Sequence, residues 1–315
     1  MMSSPSDVLE PERPDSAEGD PDLPPHLADL TGACRARPID GDEAAALRSA
    51  LFEGEGIAVV RSFLKAELVE AAHRFWSGSL ATFRRRDAWI RCAGSKNFMR
   101  VYQRRWRDGR TDTYRRFNNF WWNPPDHPST YDLLYHVHAL RNRLCGHAPG
   151  VGLREGPVHS GTCFTVNHYP PGARGVRHRD GDPVLPVVFV LPLSFRGSHY
   201  QSGGLCVWDR AGRPFRVDEE AGLKPGDVVF YHGLLPHSIE PIDGKPLDPA
   251  RIRWSDRGGR WVIVSHPQRF GPRPPRWVTA LSDLRVRMNR IFNSPLVDNP
   301  HTRRIWRLLR GRRSG

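Results

Sequence analysis

Between Cys163 and Ser265 the chain carries six short apolar stretches: Cys163–Tyr169, Val187–Leu191, Gly204–Trp208, Asp227–Tyr231, Ser238–Ile242 and Arg260–Ser265. Clusters of glycine and proline separate them. Runs of this length, bounded by turn residues, read as strands, and their close spacing predicts an antiparallel β-sandwich or barrel. An all-β unit built on such strands commonly forms one domain in a chain of 315 residues. With 38% hydrophobic residues, ten of them tryptophan, there is enough apolar surface for a sizeable core.

The flanks read differently. Residues 1–27 combine six prolines, among them Pro5, Pro11 and Pro24, with seven acidic residues such as Asp7, Glu10 and Asp22. Such a segment cannot offset its ordering entropy by burial, which predicts a disordered acidic tail. Residues 28–150 form a second segment. Asp40 can N-cap a helix through Leu51, Ile57–Val60 reads as a strand, and Lys65 to Phe83 as a helix with Leu68, Ala72, Phe75 and Trp76 on its apolar side. From Arg84 to Pro125 arginines and aromatics alternate without a clean period, which predicts loops and irregular strands; Ser129 then caps a helix to Leu144. The strand-rich segment spans 151–270. Residues 271–315 carry a last helix, Thr279–Phe292, and a basic end, Arg303–Arg313.

Composition narrows the functional classes. The five cysteines, Cys34, Cys92, Cys145, Cys163 and Cys206, are odd in number and widely spaced, with no Cys-x-x-Cys pair. This argues against a disulfide framework or a zinc knuckle and for a reducing compartment. The first residues lack a basic-then-apolar signal pattern, and no apolar run approaches the roughly 20 residues that span a bilayer, so the expectation is a cytoplasmic protein. A net charge of +13 attracts phosphates. Arginine far outnumbers lysine, however, and the excess reads as compositional as much as functional, so nucleic acid is a secondary reading.

One cluster of residues can carry chemistry. In Val176-Arg177-His178-Arg179-Asp180 the histidine and the aspartate stand two apart, on one side of an extended chain, so both can reach one ion. His237 follows the strand-like Gly226–Phe230 and opens Ser238–Ile242. Two histidines and one carboxylate can occupy one face of an octahedral iron(II) and leave three positions open for O2 chemistry. A His-x-Asp pair alone arises by chance in roughly one chain of this composition, so the weight falls on what surrounds it. His232, five positions before His237, competes for the same role.

The surrounding pattern resembles the iron(II)/2-oxoglutarate-dependent dioxygenase superfamily over about residues 163–266, with a looser match over Leu51–Leu64. Asn167-His168-Tyr169-Pro170-Pro171-Gly172 is similar to the strand and turn before that family's metal-binding His-x-Asp, and Gly203-Gly204-Leu205 to the strand after it. Lys224-Pro225-Gly226-Asp227-Val228-Val229-Phe230 and Pro236-His237-Ser238-Ile239-Glu240-Pro241-Ile242 resemble the approach to the distal histidine and the strand beyond it. The resemblance implies a mainly β fold with flanking helices, a double-stranded β-helix or cupin-like jelly-roll barrel with the metal at its mouth. It also implies His178, Asp180 and His237 as iron ligands, and a catalytic cycle that decarboxylates 2-oxoglutarate to succinate with O2 while oxidising a substrate. Tyr169 and Asn167 are the implied contacts to 2-oxoglutarate, with His168 structural. An arginine should hold the distal carboxylate, because its planar fork donates two hydrogen bonds. Arg260, opening Trp261–Ser265, matches the family position, although the gap from His237 is long. Arg253, in Arg253-Trp254-Ser255, resembles an Arg-x-Ser variant and is the alternative.

Asp180 makes hydroxylation the default the resemblance implies, since halogenating members of the family have a small residue there, although desaturation, ring formation and demethylation use the same triad. The segment from Arg84 to Trp122 interleaves arginines such as Arg100, Arg115 and Arg116 with Tyr114, Phe117 and Trp121, a composition suited to an anionic or aromatic partner or to a basic face over an aromatic core. The favoured reading is hydroxylation of a small, biosynthetic metabolite. A protein or nucleic-acid substrate, and a non-enzymatic metal-binding jelly roll, are the alternatives. The residues that bind substrate are not legible at this level.

Overall fold

The computed structural model describes residues 36–79, 97–105, 111–123, 127–153, 160–180, 185–254, 257–269, 275 and 277. The chain opens with helix α1 (Gly41–Phe52), strand β1 (Ile57–Val60) and helix α2 (Ala66–Gly78). Strands β2 (Phe98–Arg105) and β3 (Thr111–Phe120) and helix α3 (Pro128–Leu144) follow. Then come β4 (Ser160–Tyr169), β5 (Gly175–His178), β6 (Val187–Pro192), β7 (Gly204–Trp208), β8 (Pro214–Arg216) and the single turn α4 (Val217–Glu220). Strands β9 (Val228–His232), β10 (His237–Glu240) and β11 (Arg260–Arg269) complete the order.

The strands hydrogen-bond as two antiparallel sheets. The larger has seven strands in the order β1-β9-β6-β11-β4-β3-β2, and the smaller has four in the order β5-β10-β7-β8. Within them β9-β6-β11-β4 faces β5-β10-β7-β8. These eight strands form a jelly roll, two four-stranded sheets between which the chain alternates except at the β7-β8 hairpin of the smaller sheet.

Sequence runs such as Val187-Val188-Phe189-Val190-Leu191 are apolar at every position because the larger sheet is covered on both faces, as a two-sided strand must be. Val187, Phe189 and Leu191 of β6, Val228 and Phe230 of β9, and Trp261 and Ile263 of β11 pack with the helices. The alternate residues, Val188 and Val190, Val229 and Tyr231, and Val262, face the smaller sheet and meet Leu205 and Val207. Trp261, fully buried, stacks on His168 at 4.1 Å. Truncating a tryptophan so placed costs roughly 3–5 kcal/mol.

Local signals account for several element ends. The Asp40 side chain accepts from Glu43 N at 2.8 Å and caps α1, satisfying one of the free N–H groups of the first turn. Helix α3 starts one residue before the expected Ser129, with Pro128 in its first turn and His127 at the cap.

The segment from Arg84 to Pro125 differs from expectation. Over its described part it forms two long strands, β2 and β3, which extend the larger sheet from β4. No period was visible because β3 is polar on both faces: Asp112, Tyr114 and Arg116 point one way, Thr113 and Arg115 the other. The acidic tail 1–27, the helix Thr279–Phe292 and the basic end Arg303–Arg313 lie outside the described residues.

Candidate metal centre and its cavity

His178 closes β5, His237 opens β10, and the antiparallel register places them directly opposite one another. Asp180 lies just beyond β5, where its backbone N–H donates to Gly233 O at 2.8 Å. Glycine is required at 233: a Cβ there would stand 2.0 Å from Asp180 O and 3.2 Å from Pro186 O. The turn between β9 and β10 therefore holds the aspartate against the two histidines.

The ligand-capable atoms of His178, Asp180 and His237 all lie within 4.8 Å of one another. Asp180 spans the pair, with Oδ1 3.6 Å from His178 Nε2 and Oδ2 3.5 Å from His237 Nε2. Two ligands about 2.1 Å from one first-row ion, at a right angle, stand about 3 Å apart, so a small inward movement suffices. His178 Nδ1 lies 2.7 Å from Val176 O and His237 Nδ1 lies 3.1 Å from Leu235 O. A carbonyl only accepts, so each Nδ1 carries a proton and Nε2 is the atom left to ligate. Burial, then the nearby His237, hold the His178 imidazole below its ordinary pKa against the opposing pull of Asp180, which favours the neutral form that ligates. Two imidazoles and a carboxylate converging from one side are a donor set that fits iron(II).

The two rival histidines stand elsewhere. His232 ends β9 with its ring edge-on to Phe52, 5.9 Å between centroids. His168 points to the helix-covered face of the sheet, where Nε2 lies 2.8 Å from Gly258 O.

From the three-residue cluster a cavity of about 370 Å³ runs between the sheets. The register of the larger sheet puts one row of side chains along it. Tyr102 of β2 is paired with Tyr114 of β3, and Tyr169 of β4 is paired with Arg260 of β11. Arg116 and Asn167, also paired, form the next row. Arg260 is buried, with Cζ 6.0 Å from the centroid of the Tyr169 ring. Its Nε donates to Asp218 Oδ1 at 3.2 Å; the Tyr200 hydroxyl donates to the same oxygen at 2.8 Å, and Leu205 N donates to Asp218 Oδ2. Burial opposes the Arg260 charge, but Asp218, with Tyr200 and Tyr169, more than offsets it. Gly259 takes φ +95°, and a Cβ there would stand 2.3 Å from Tyr169 O, so glycine lets β11 begin tight against the end of β4.

Burial raises the pKa of Tyr169 and Tyr231, and pushes that of Tyr114 up to about 12, so all three phenols keep their protons and are able to donate. Tyr231 lies 4.9 Å from His237, ring to ring. Arg253 is exposed on the long connection between β10 and β11 and does not line this cavity. That connection is pinned to the turn after β4, where Leu247 N donates to Gly172 O at 3.1 Å and Gly172 N to Ile242 O at 2.6 Å.

Of the six residues read from the sequence, His178, Asp180, His237, Arg260, Tyr169 and Asn167 all line one cavity. The reading missed Tyr102, Asp112, Tyr231 and Asp218, and placed Tyr114 and Arg116 only within a diffuse arginine-rich segment. Period-two spacing in Asp112-x-Tyr114-x-Arg116 was the available signal, masked by Arg115 and Asn119 on the other face. Asp218, inside Val217-Asp218-Glu219-Glu220, reads as one more acid of a solvated turn.

No protein-family model matches the chain, and no curated protein matches it. Among solved structures, a prolyl-4-hydroxylase from Pseudomonas putida is similar at 19% identity and TM-score 0.45, covering 72% of this chain and all of that one. EctD from S. alaskensis, solved with 2-oxoglutarate and 5-hydroxyectoine, is similar at 17% identity and TM-score 0.42, covering 77% and 84%. An oxidoreductase of the 2OG-Fe(II) oxygenase family from Burkholderia pseudomallei is similar at 14% identity and TM-score 0.38, covering 75% and 95%. These are distant likenesses to 2OG-Fe(II) oxygenases, and the jelly-roll description rests on the strand order rather than on them.

Proposed function

We propose that the chain is an iron(II)- and 2-oxoglutarate-dependent oxygenase that hydroxylates a small organic molecule. The observation that carries this reading is the convergence of His178, Asp180 and His237, with each Nδ1 turned to a backbone carbonyl and each Nε2 toward Asp180, at the end of a cavity that Arg260 and Tyr169 also line. When bound, iron(II), 2-oxoglutarate and O2 supply the oxidising chemistry, with succinate and CO2 as co-products. The protein's own residues would bind and orient.

Arg260 and the Tyr169 hydroxyl would take the distal carboxylate of 2-oxoglutarate, one by charge-assisted hydrogen bonds and the other as a neutral donor. Asp218 holds the guanidinium in place through its Nε, and the Tyr200 hydroxyl holds Asp218 in turn. Val190, Leu205, Val262 and Val264 give the cavity apolar walls that exclude water from the co-substrate. The Asp180 carboxylate would occupy the third ligand position, which favours hydroxylation over halogenation. A cavity of about 370 Å³ is at the small end of ligand pockets and must also take the co-substrate, which favours a small metabolite or one protruding group of a larger molecule.

The test is anaerobic addition of iron(II) and then 2-oxoglutarate to the full chain. A weak visible absorption that needs both, followed by succinate formation once air is admitted, is the expected result. Metal binding without that absorption would instead leave a metal-binding jelly roll with no oxygenase activity. The described residues include no helix long and apolar enough to cross a membrane.

A further inference from the structure

Besides Arg260 and the exposed Arg179, the cavity is lined by Arg116. Arg116 of β3 lines it beside Asn167, to whose Oδ1 its Nε donates at 3.2 Å. Its Cζ lies 5.2 Å from the centroid of the Tyr102 ring and 5.4 Å from that of Tyr114. Those rings stack face to face at 4.8 Å with 3° between their planes, and Tyr114 in turn lies 5.0 Å from Tyr169. Tyr102 and Tyr114 thus flank the guanidinium, and Asn167 engages its Nε.

Arg260 and Arg116 are built differently. Arg260 already has the Asp218 carboxylate. Arg116 has one amide oxygen and two ring faces among the described residues, and none of these is an anion. A guanidinium stays charged at any physiological pH; of the carboxylates that line the same cavity, Asp180 belongs to the three-residue cluster and Asp112 accepts from Val176 N, so the contacts of Arg116 itself leave it able to take an incoming anion. The two arginines stand in neighbouring rows of the sheet, Arg260 on β11 and Arg116 two strands away on β3, with β4 between them. One small dicarboxylate held at Arg260 would leave Arg116 to a different molecule.

We propose that Arg116, framed by Tyr102 and Tyr114, is the anchor for a carboxylate of the organic substrate. This deepens the oxygenase reading by naming the substrate class as a small carboxylic acid and rests on that reading for the term substrate. Binding of an anion at Arg116 does not itself depend on the metal. A planar carboxylate matches the in-plane donors of the fork, whereas a neutral amide of the same shape would bring an N–H toward a positive charge.

The experiment uses benzoate, benzamide and inorganic phosphate as probes, titrated by calorimetry into the full chain held anaerobically with iron(II) and saturating 2-oxoglutarate. Benzoate is expected to bind wild type, and Arg116→Gln to weaken it at least about tenfold, the usual scale for a lost charge-assisted contact. Arg116→Lys should recover part of the loss, and benzamide should bind wild type no better than it binds the glutamine variant. The affinity for 2-oxoglutarate, read from the visible absorption, should change less than about threefold in Arg116→Gln. Thermal unfolding of each variant checks that the sheet is intact, and a glutamine variant that does not fold hands the test to Arg116→Lys against wild type.

Equal benzoate affinity in wild type and Arg116→Gln would overturn the proposal, as would phosphate binding with no benzoate binding. Loss of 2-oxoglutarate affinity in Arg116→Gln as large as in an Arg260 variant would also overturn it, by making Arg116 a co-substrate anchor. If wild type shows no 2-oxoglutarate absorption at all, the oxygenase reading fails. The same titration in metal-free protein then still decides whether Arg116 binds a carboxylate.

Discussion

Arg260→Ala removes two things at once, and the structure allows them to be separated. Arg260 is 2% exposed and paired with Asp218, itself 7% exposed. Losing the arginine strands a buried carboxylate that still accepts from Tyr200 and Leu205 N, and breaking one side of a buried pair costs roughly 3–5 kcal/mol of stability. The same change removes the proposed anchor for the 2-oxoglutarate carboxylate. Truncating one member of a buried, hydrogen-bonded charge pair costs on the order of 2–5 kcal/mol of binding. Because Asp218 already draws on the guanidinium, the low end of about 2–3 kcal/mol applies, or roughly 30- to 150-fold weaker binding at 1.4 kcal/mol per tenfold. The double variant Arg260→Ala/Asp218→Asn should recover stability, since no buried charge is left unpaired, yet leave the binding loss in place. Arg260→Lys should recover binding only in part, keeping the charge without the fork. Arg253→Ala, at an exposed position on the long connection, should change little. The assay is the 2-oxoglutarate dependence of succinate formation, with thermal unfolding of the same proteins in parallel. A large effect in Arg253→Ala with almost none in Arg260→Ala would refute the reasoning.

Other perturbations test the remaining parts of the site. His178→Ala, Asp180→Ala and His237→Ala should each abolish iron-dependent turnover with the fold retained, whereas His232→Ala should keep it; the reverse pattern for the two histidines 232 and 237 would show the ligand set to be wrong. Gly233→Ala must push Asp180 away from a 2.0 Å clash, so metal affinity measured by calorimetry should fall about 10- to 100-fold, and unchanged affinity would contradict that role for the turn. Acid should destabilise the fold through its buried neutral histidines: burial depresses His168 from 6.5 to about 3. The unfolded chain therefore takes up a proton near pH 6.5 that the folded chain refuses, and the stability present above that pH is lost as pH falls toward 3, on the order of 3 kcal/mol by pH 4. His168→Gln should flatten the unfolding free energy between pH 6.5 and 4, and an unaltered slope would exclude His168 as its source.

Much of this protein was legible in its sequence, for a definite reason. The two-residue spacing of His178 and Asp180 puts both on one side of any extended chain, and the apolar runs of β6, β9 and β11 announce strands covered on both faces. Both are local consequences of backbone geometry. Asp40 as a cap and Gly-Pro turns between strands are local too.

What needed tertiary structure is what depends on register between strands far apart in sequence. That Arg260, not Arg253, reaches the cavity follows from β11 beginning opposite Tyr169, a pairing that Gly259 permits and the sequence leaves open. That Asp218 pairs with Arg260, and that Tyr102, Tyr114 and Tyr169 form one ladder beside Arg116, depends on contacts across up to 55 residues of chain, from Tyr114 to Tyr169. In β3 polar side chains occupy both faces, so no hydrophobic period marks which side is inside. The face is chosen only when β3 pairs with β4, because that pairing places Arg116 beside Asn167 and Arg115 beside His168, one toward the cavity and one toward the other face, where it reaches Trp254 of the long connection.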